Sequence, residues 1–251
     1  MSETTGDEDR LYREPALAQF YDLENGWADD LGYCRGRAQS AGSLLDLGCG
    51  TGLFLSRLEG KRRLVGVDPA AAMLEIARRR PGGETVTWIQ ADARRFRWDQ
   101  SFDLIVLTGH AFQVFLSDAD RRALLATIAA QLAPEGRFIF DSREPSAEAW
   151  RAWNPEDSRR TIRHPALGEV EAWNAAEHDP ATGIVTYETH YRALSSGQRF
   201  AAESRIAFPS KQRIAALIEE AGLVVERWLG DWQGQDYDSA AREIIPIGRL
   251  R

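Results

Sequence analysis

Residues 44–52 read Leu-Leu-Asp-Leu-Gly-Cys-Gly-Thr-Gly, a short apolar run that passes an acidic residue and enters three glycines at alternate positions. Glycine at 48, 50 and 52 lets the backbone approach a ligand with no Cβ in the way. A helix expected from Leu53 to Leu58 would aim its unpaired N–H groups at the same place. Strand, glycine turn and helix in this order make a nucleotide cradle. The dinucleotide fingerprint G-x-G-x-x-G would need glycine at 53, where the chain has Leu53, and Asp46 is no part of it, which weakens a phosphate-binding reading.

Around this turn the chain alternates: strand 44–47, helix 52–60, strand 63–67, helix 70–80, strands 85–90 and 103–108, helix 118–132 and strand 136–142. Such alternation is α/β patterning and predicts a parallel sheet covered on both faces. Pro134-Glu135-Gly136 is expected as the turn into the last of these strands. Upstream, after a floppy start, residues 11–40 read as helical, with Pro15 suited to a first turn and apolar Leu17, Phe20, Tyr21 and Leu31. Beyond residue 143 the rhythm breaks in a stretch rich in Trp, Pro and charge. Four apolar/polar alternating runs follow, at 160–164, 168–178, 183–194 and 198–208, separated by turn residues, and they predict an antiparallel insert. Ser210 should cap a helix that runs to Ala221 and ends at Gly222, before two strands near 223–230 and 242–249.

With 251 residues, 43% of them hydrophobic and 27% charged, the chain suits one domain with an elaboration. No apolar run approaches the roughly 20 residues of a membrane span, and the acidic, polar N-terminus is no signal sequence, so a cytoplasmic protein is expected. A net charge of −7 carries no footprint for a nucleic-acid backbone; Arg78-Arg79-Arg80 and Arg94-Arg95 read as solvated helix faces. Cys34 and Cys49 read as structural. With no C-x-x-C and no H-x-x-x-H, no metal is expected.

Residue for residue, 44–52 resembles motif I of the class I S-adenosylmethionine-dependent methyltransferases, whose usual form is close to LDLGCGTG. The resemblance implies a Rossmann-like fold with a seven-stranded, mostly parallel sheet. The core would span 41–142 and 209–251, with an N-terminal helical flap (1–40) and an antiparallel β insert (143–208) capping the substrate between the fifth and sixth strands. The last two strands would form the reversed hairpin at the sheet edge. It also implies S-adenosyl-L-methionine as cofactor. Asp68, at the end of the second strand, could accept from both ribose hydroxyls or simply cap the next helix. Asp92, in Gln90-Ala91-Asp92-Ala93, could face the adenine amino group or cap the turn that follows. Met73 would pack on adenine, and Asp46 would orient the glycine loop and the methionine amino group with the Gly48 backbone. Cys49, Gly50, Pro69, Ala93 and Thr108 complete the implied cofactor shell.

The fourth strand runs into Gly109-His110-Ala111-Phe112-Gln113, and ligands sit at the carboxyl ends of such strands. Of four histidines, only His110 is at such an end. It could act as a general base, orient a substrate, or pack. The Gly-His pair is similar to that of certain sugar-amine N-methyltransferases. Tyr21 is assigned as a lid across the methyl group, as in related small-molecule enzymes. Tyr12, Trp27, Trp150, Trp153, Trp173, Tyr187, His190 and Tyr191 are further candidates for a pocket wall, and Gly230-Asp231-Trp232 a weaker one. The function expected is methyl transfer to a nitrogen or oxygen of a small molecule, by a monomer or homodimer. The alternatives are a non-catalytic cofactor-binding protein and a methyltransferase of protein or RNA. For nucleic-acid bases, the Asn/Asp-Pro-Pro-Tyr type motif is replaced by Thr-Gly-His-Ala.

Overall fold

Consecutive apolar residues at 44–45, 64–65 and 104–107 are what a strand buried on both faces requires. In the computed structural model, which describes residues 10–251, these runs form the middle of a seven-strand sheet. The floppy start expected for the first residues lies outside the described residues. The chain opens with α1 (Arg10–Arg13), α2 (Pro15–Ala18), α3 (Tyr21–Glu24) and α4 (Asp29–Ala38). The core follows as β1 (Ser43–Leu47), β2 (Arg63–Asp68), α5 (Ala71–Arg79), β3 (Thr87–Gln90), β4 (Phe102–Leu107), α6 (Asp118–Gln131), β5 (Leu132–Phe140) and the short β6 (Ser142–Arg143). Then come β7 (Arg160–His164), β8 (Gly168–Asp179), β9 (Ile184–Ala193), β10 (Arg199–Ala207), α7 (Lys211–Glu220), β11 (Leu223–Leu229) and β12 (Glu243–Leu250).

The main sheet runs β11-β12-β5-β4-β1-β2-β3, with β6 attached to β12. Strands β1 to β5 are parallel, whereas β12 is antiparallel to β5 and β11. Side chains alternate between two cores. Leu45, Leu47, Val65, Val67, Ile105 and Leu107 face the layer of α6 and α7. Leu44, Leu64, Leu104 and Val106 face α4 and the buried Phe54, Leu55 and Leu58. Strand order and connection make this the Rossmann-like fold that the sequence implied. β7 to β10 form a separate antiparallel meander within a residue or two of the expected runs. Ser210 Oγ accepts from Arg213 N at 3.2 Å and caps α7 as anticipated.

Three expectations are corrected. The helix placed at 52–60 is only a single 3-10 turn, Leu55–Arg57. Gly52 and Gly60 both take positive φ, +72° and +93°. The few residues between them are too short a run to sustain a helix, and they instead sink Phe54, Leu55 and Leu58 into the core. The helical segment 11–40 is broken into α1 to α4, because Glu14 before Pro15 is extended, as a residue before proline is biased to be, and Ala28 is extended as well. Pro134-Glu135-Gly136 lies inside β5, as an irregularity between the pairs Phe102↔Leu132 and Leu104↔Arg137.

The flap sits between core and insert through adjacent side chains that point in different directions. Phe20 is fully buried and stacks on Tyr191 of β9 with ring centroids 4.0 Å apart. Its neighbour Tyr21 reaches over the glycine loop, its Cε1 3.9 Å from where a Cβ on Gly50 would stand. Arg80 ties the flap down from the other side, bonding Asp22 and the Thr51 carbonyl, so it is not the solvated helix residue expected. Among the described residues no helix is long and apolar enough to cross a membrane.

Candidate active site

The glycine loop owes its path to hydrogen bonds made within the protein. Gly48 N (2.7 Å) and Cys49 N (3.1 Å) both donate to the Val67 carbonyl, and Gly50 N donates to Asp68 Oδ2 at 2.9 Å. The loop is therefore no anion nest, since its N–H groups are engaged before any ligand arrives. Gly48, Gly50 and Gly52 all have positive φ, and a Cβ on Gly48 would come within 3.0 Å of Ala111 Cβ. At Gly52 a Cβ would meet the Trp88 ring at 2.4 Å.

Beside the loop, at the carboxyl ends of β1 to β4, lies a cavity of about 380 Å³. Its wall holds Tyr21, Gly48, Gly50, Asp68, Pro69, Met73, Asp92, Ala93 and Thr108, nine of the residues singled out from sequence. Asp68 Oδ1 also accepts from Ala70 N at 2.8 Å, so the carboxylate caps α5 and braces the loop at once. A carboxylate oxygen can accept more than one bond, which leaves this role compatible with hydroxyl binding. Both Asp92 oxygens are held by Arg94, whose backbone N also donates to Asp92 Oδ1 at 2.9 Å. Partial burial opposes its ionisation, but these bonds outweigh it and hold Asp92 below the usual carboxylate range. Arg94 binds Asp120 as well and stands on the cavity wall, again not a merely solvated arginine.

Two residues expected in the cofactor shell are not on this wall. The Cys49 thiol turns toward Gly66, and burial pushes its pKa up. Asp46 is buried under the loop with Oδ1 lacking a partner; burial, followed by Asp68 and Asp30, pushes its carboxyl up to about 8. A glycine loop whose N–H groups are already engaged, and a wall with three carboxylates (Asp68, Asp92, Asp120) against two arginines (Arg13, Arg94), fit a cationic nucleoside better than a pyrophosphate. Asp68, Met73 and the segment Asp92-Ala93 would hold its ribose and base.

A second cavity, about 470 Å³, opens beyond Tyr12, Tyr21, Gly109 and Val114, which line both. The end of β4 turns into it through two successive left-handed residues, Gly109 (φ +65°) and His110 (φ +61°). The His110 conformation is costly for a residue with a Cβ, and its N–H donates to Asp141 Oδ1 at 2.9 Å. In the side chain, Nε2 lies 3.1 Å from both oxygens of Glu243 on β12 and 3.6 Å from Asp141 Oδ2. Flanked by carboxylates, Nε2 is the nitrogen that carries the proton. Nδ1 has no protein partner among the described residues. Burial pushes the Asp141 carboxyl up to about 6, although His110 works against it. Donor atoms of His110, Asp141 and Glu243 lie within 4.8 Å of one another. Short-range ligand spacing could not reveal this cluster, because three distant strand ends assemble it.

The remaining wall comes from flap and insert. Tyr12 and Tyr187 hydroxyls lie 3.0 Å apart, and Glu24 binds both Arg160 and Tyr191 Oη. Burial, then Glu24, raises the Tyr191 pKa, and burial followed by Asp68 raises that of Tyr21. Trp153 lines the cavity, whereas Trp27, Trp150, Trp173 and His190 do not. Trp232 packs on Tyr33 instead. Glu24, Arg143, Arg160 and Asn174 also line this cavity and escaped the sequence reading. Polar residues on alternating strands read as solvated, and only Arg143, following Asp-Ser at a core strand end, carried any positional signal.

A family model described as a methyltransferase domain matches residues 44–136. Across 206 residues the chain is 26% identical to a cypemycin N-terminal methyltransferase from Streptomyces sp, covering 82% of each. It is 29% identical over 237 residues to a dTDP-3-amino-3,6-dideoxy-alpha-D-glucopyranose N,N-dimethyltransferase from Streptomyces fradiae, covering 87% of this chain and 88% of that one. In fold it is similar to the sugar N-methyltransferase KedS8 from Streptoalloteichus sp, with a TM-score of 0.74, 20% identity and coverage of 100% and 98%. The glycine cradle, the seven-strand order and these likenesses agree in indicating a class I S-adenosylmethionine-dependent methyltransferase.

Proposed function

We propose that the protein methylates a nitrogen or oxygen of a small molecule, with an amine nitrogen preferred, and that His110 takes the proton released. The observation that carries this reading is the meeting of the two cavities at Tyr21 and Gly109, with His110 on the far wall. A protein that only bound the cofactor would need no second chamber with a titratable group. Relatives named for amino-sugar and peptide N-terminal methylation support nitrogen as the acceptor.

Bound beside the glycine loop, S-adenosylmethionine supplies an electrophilic methyl group with a neutral thioether as leaving group. The chain's own residues do the rest. Glu243 and Asp141 fix the His110 tautomer, which leaves the Nδ1 lone pair to accept a proton from the acceptor. Tyr21, anchored through Phe20 to the insert, closes the junction and holds acceptor and methyl in line, where orientation contributes much of the rate. In this reading residues 1–40 act as a lid and 143–208 as the substrate cap, the enzyme works in the cytoplasm as a monomer or homodimer, and nucleic acid is no substrate.

Isothermal titration with S-adenosylmethionine and S-adenosylhomocysteine is the test. Micromolar binding of both, followed by methylated product from a panel of amines and hydroxy compounds, is expected. A folded protein that binds neither would overturn the assignment of the first cavity, and binding without transfer to any small acceptor would favour the non-catalytic alternative.

A further inference from the structure

Of the basic side chains on the wall of the second cavity, Arg160 is paired with Glu24 and His110 with Glu243. Arg143 is not matched: among the described residues no carboxylate lies within 4.0 Å of its guanidinium. Burial lowers its pKa, and the nearest opposing charges, Glu243 and Asp141, stand beyond ion-pair reach and face His110. Yet the side chain is held firmly. Nη1 donates to Gln113 Oε1 at 2.9 Å, and Gln113, itself fully buried, donates from Nε2 to the Ala207 carbonyl at 2.8 Å. Trp153 covers one face, with Cζ 5.1 Å from the ring centroid. Nε and Nη2 have no protein partner among the described residues.

A half-buried guanidinium with no carboxylate in contact keeps part of its desolvation cost. When neighbours fix its orientation and leave one edge unbonded, it is preorganised to receive an anion at that edge. The Nε/Nη2 edge matches a carboxylate in its planar, bidentate geometry. A dianion such as phosphate suits the place less, because Asp141 and Glu243 are close enough to repel it. Arg143 is the cross-strand partner of Glu243 in the β6–β12 pairing, so the anion site and the His110 cluster rise from neighbouring positions.

We propose that Arg143 is a carboxylate-binding residue and that the acceptor is a small amine bearing a carboxylate, as an amino acid does, with its amino group toward His110. This rests on the methyl-transfer reading above and narrows its substrate class. The Arg143 guanidinium and, from the neighbouring strand position, the His110–Glu243–Asp141 cluster offer such a zwitterion one site for each of its charges.

The experiment offers alanine, phenylalanine and glutamate, each beside its α-carboxamide, to the enzyme with S-adenosylmethionine. Methylated product is read by mass spectrometry and cofactor binding by calorimetry on the same preparation. The acid should react about 10- to 100-fold faster than its amide. Arg143→Gln should erase that difference, and Arg143→Lys should restore part of it, with cofactor affinity unchanged in both. Equal reaction of acid and amide, or discrimination that survives Arg143→Gln, would overturn the proposal. If no member reacts, calorimetry of the same acids on the S-adenosylhomocysteine complex decides: binding that Arg143→Gln abolishes supports it, and no binding overturns it. Failure to bind the cofactor would overturn the underlying reading, and this one with it.

Discussion

The two cavities share Tyr12, Tyr21, Gly109 and Val114 but are built in different ways. The cofactor side is mostly the work of the backbone, with short segments at the ends of four neighbouring parallel strands, shaped by glycines where side chains cannot fit. The second cavity, proposed for the acceptor, consists of side chains delivered from the flap, the β4 and β6 ends, and the insert. The first is a property of the fold's core; the second belongs to whatever is grafted on it, which is why fold alone does not name an acceptor.

His110→Ala should set the two apart most sharply. Turnover should drop about 10²- to 10⁴-fold, as for loss of a general base, with cofactor affinity measured by calorimetry nearly intact. A matching loss of cofactor affinity would merge the two sites into one. Gly52→Ala attacks the backbone side. Its Cβ would stand 2.4 Å from the Trp88 ring and 2.8 Å from Ala77 Cβ at a φ of +72°, so urea unfolding should show a loss of about 2–5 kcal/mol. Wild-type stability would mean that the loop has room to shift and that its tightness is no constraint.

Asp46 makes the cofactor side sensitive to pH. Below about pH 4 its carboxyl is protonated in folded and unfolded chains alike. Between there and its folded value of about 8, the unfolded chain releases the proton while the folded chain keeps it. Stability of the cofactor-free protein therefore falls as pH rises through this window, on the order of a few kcal/mol, and Asp46→Asn should flatten the profile. A denaturation series from pH 5 to pH 9 in which both proteins show the same slope would remove Asp46 as its cause. Smallest in effect, Asp68→Ala should weaken S-adenosylmethionine binding by about 1.5–3 kcal/mol without altering any preference among acceptors; an altered preference would place Asp68 in the acceptor site.

Legibility in the sequence follows the same division. Strand periodicity, Ser210 as a cap and the insert's turns were readable because each depends on residues a few positions apart. So were Gly48, Gly50, Asp68 and Asp92, which lie where strands end. The helix after Gly52 was misread because a helix is the expected successor of a strand and glycine turn in alternating α/β patterning, whereas the positive φ of Gly52 and Gly60 emerges only from the surrounding packing. Asp46 and Cys49 belong to the glycine motif yet turn away from the cavity, since a motif specifies residue types and not the face each side chain takes.

Alternation of strand and helix, together with three glycines at alternate positions, indicated the sheet and the cofactor class, because those constraints are local and set by the backbone. Tertiary structure alone decided that Glu243, Asp141 and His110 form one cluster, that Arg80 and Arg94 bond Asp22, Asp92 and Asp120, and that Arg143 has no carboxylate within ion-pair distance among the described residues. Those outcomes depend on which distant strand ends come to lie side by side, and on how burial there weighs charge against desolvation. No short stretch of sequence carries that information.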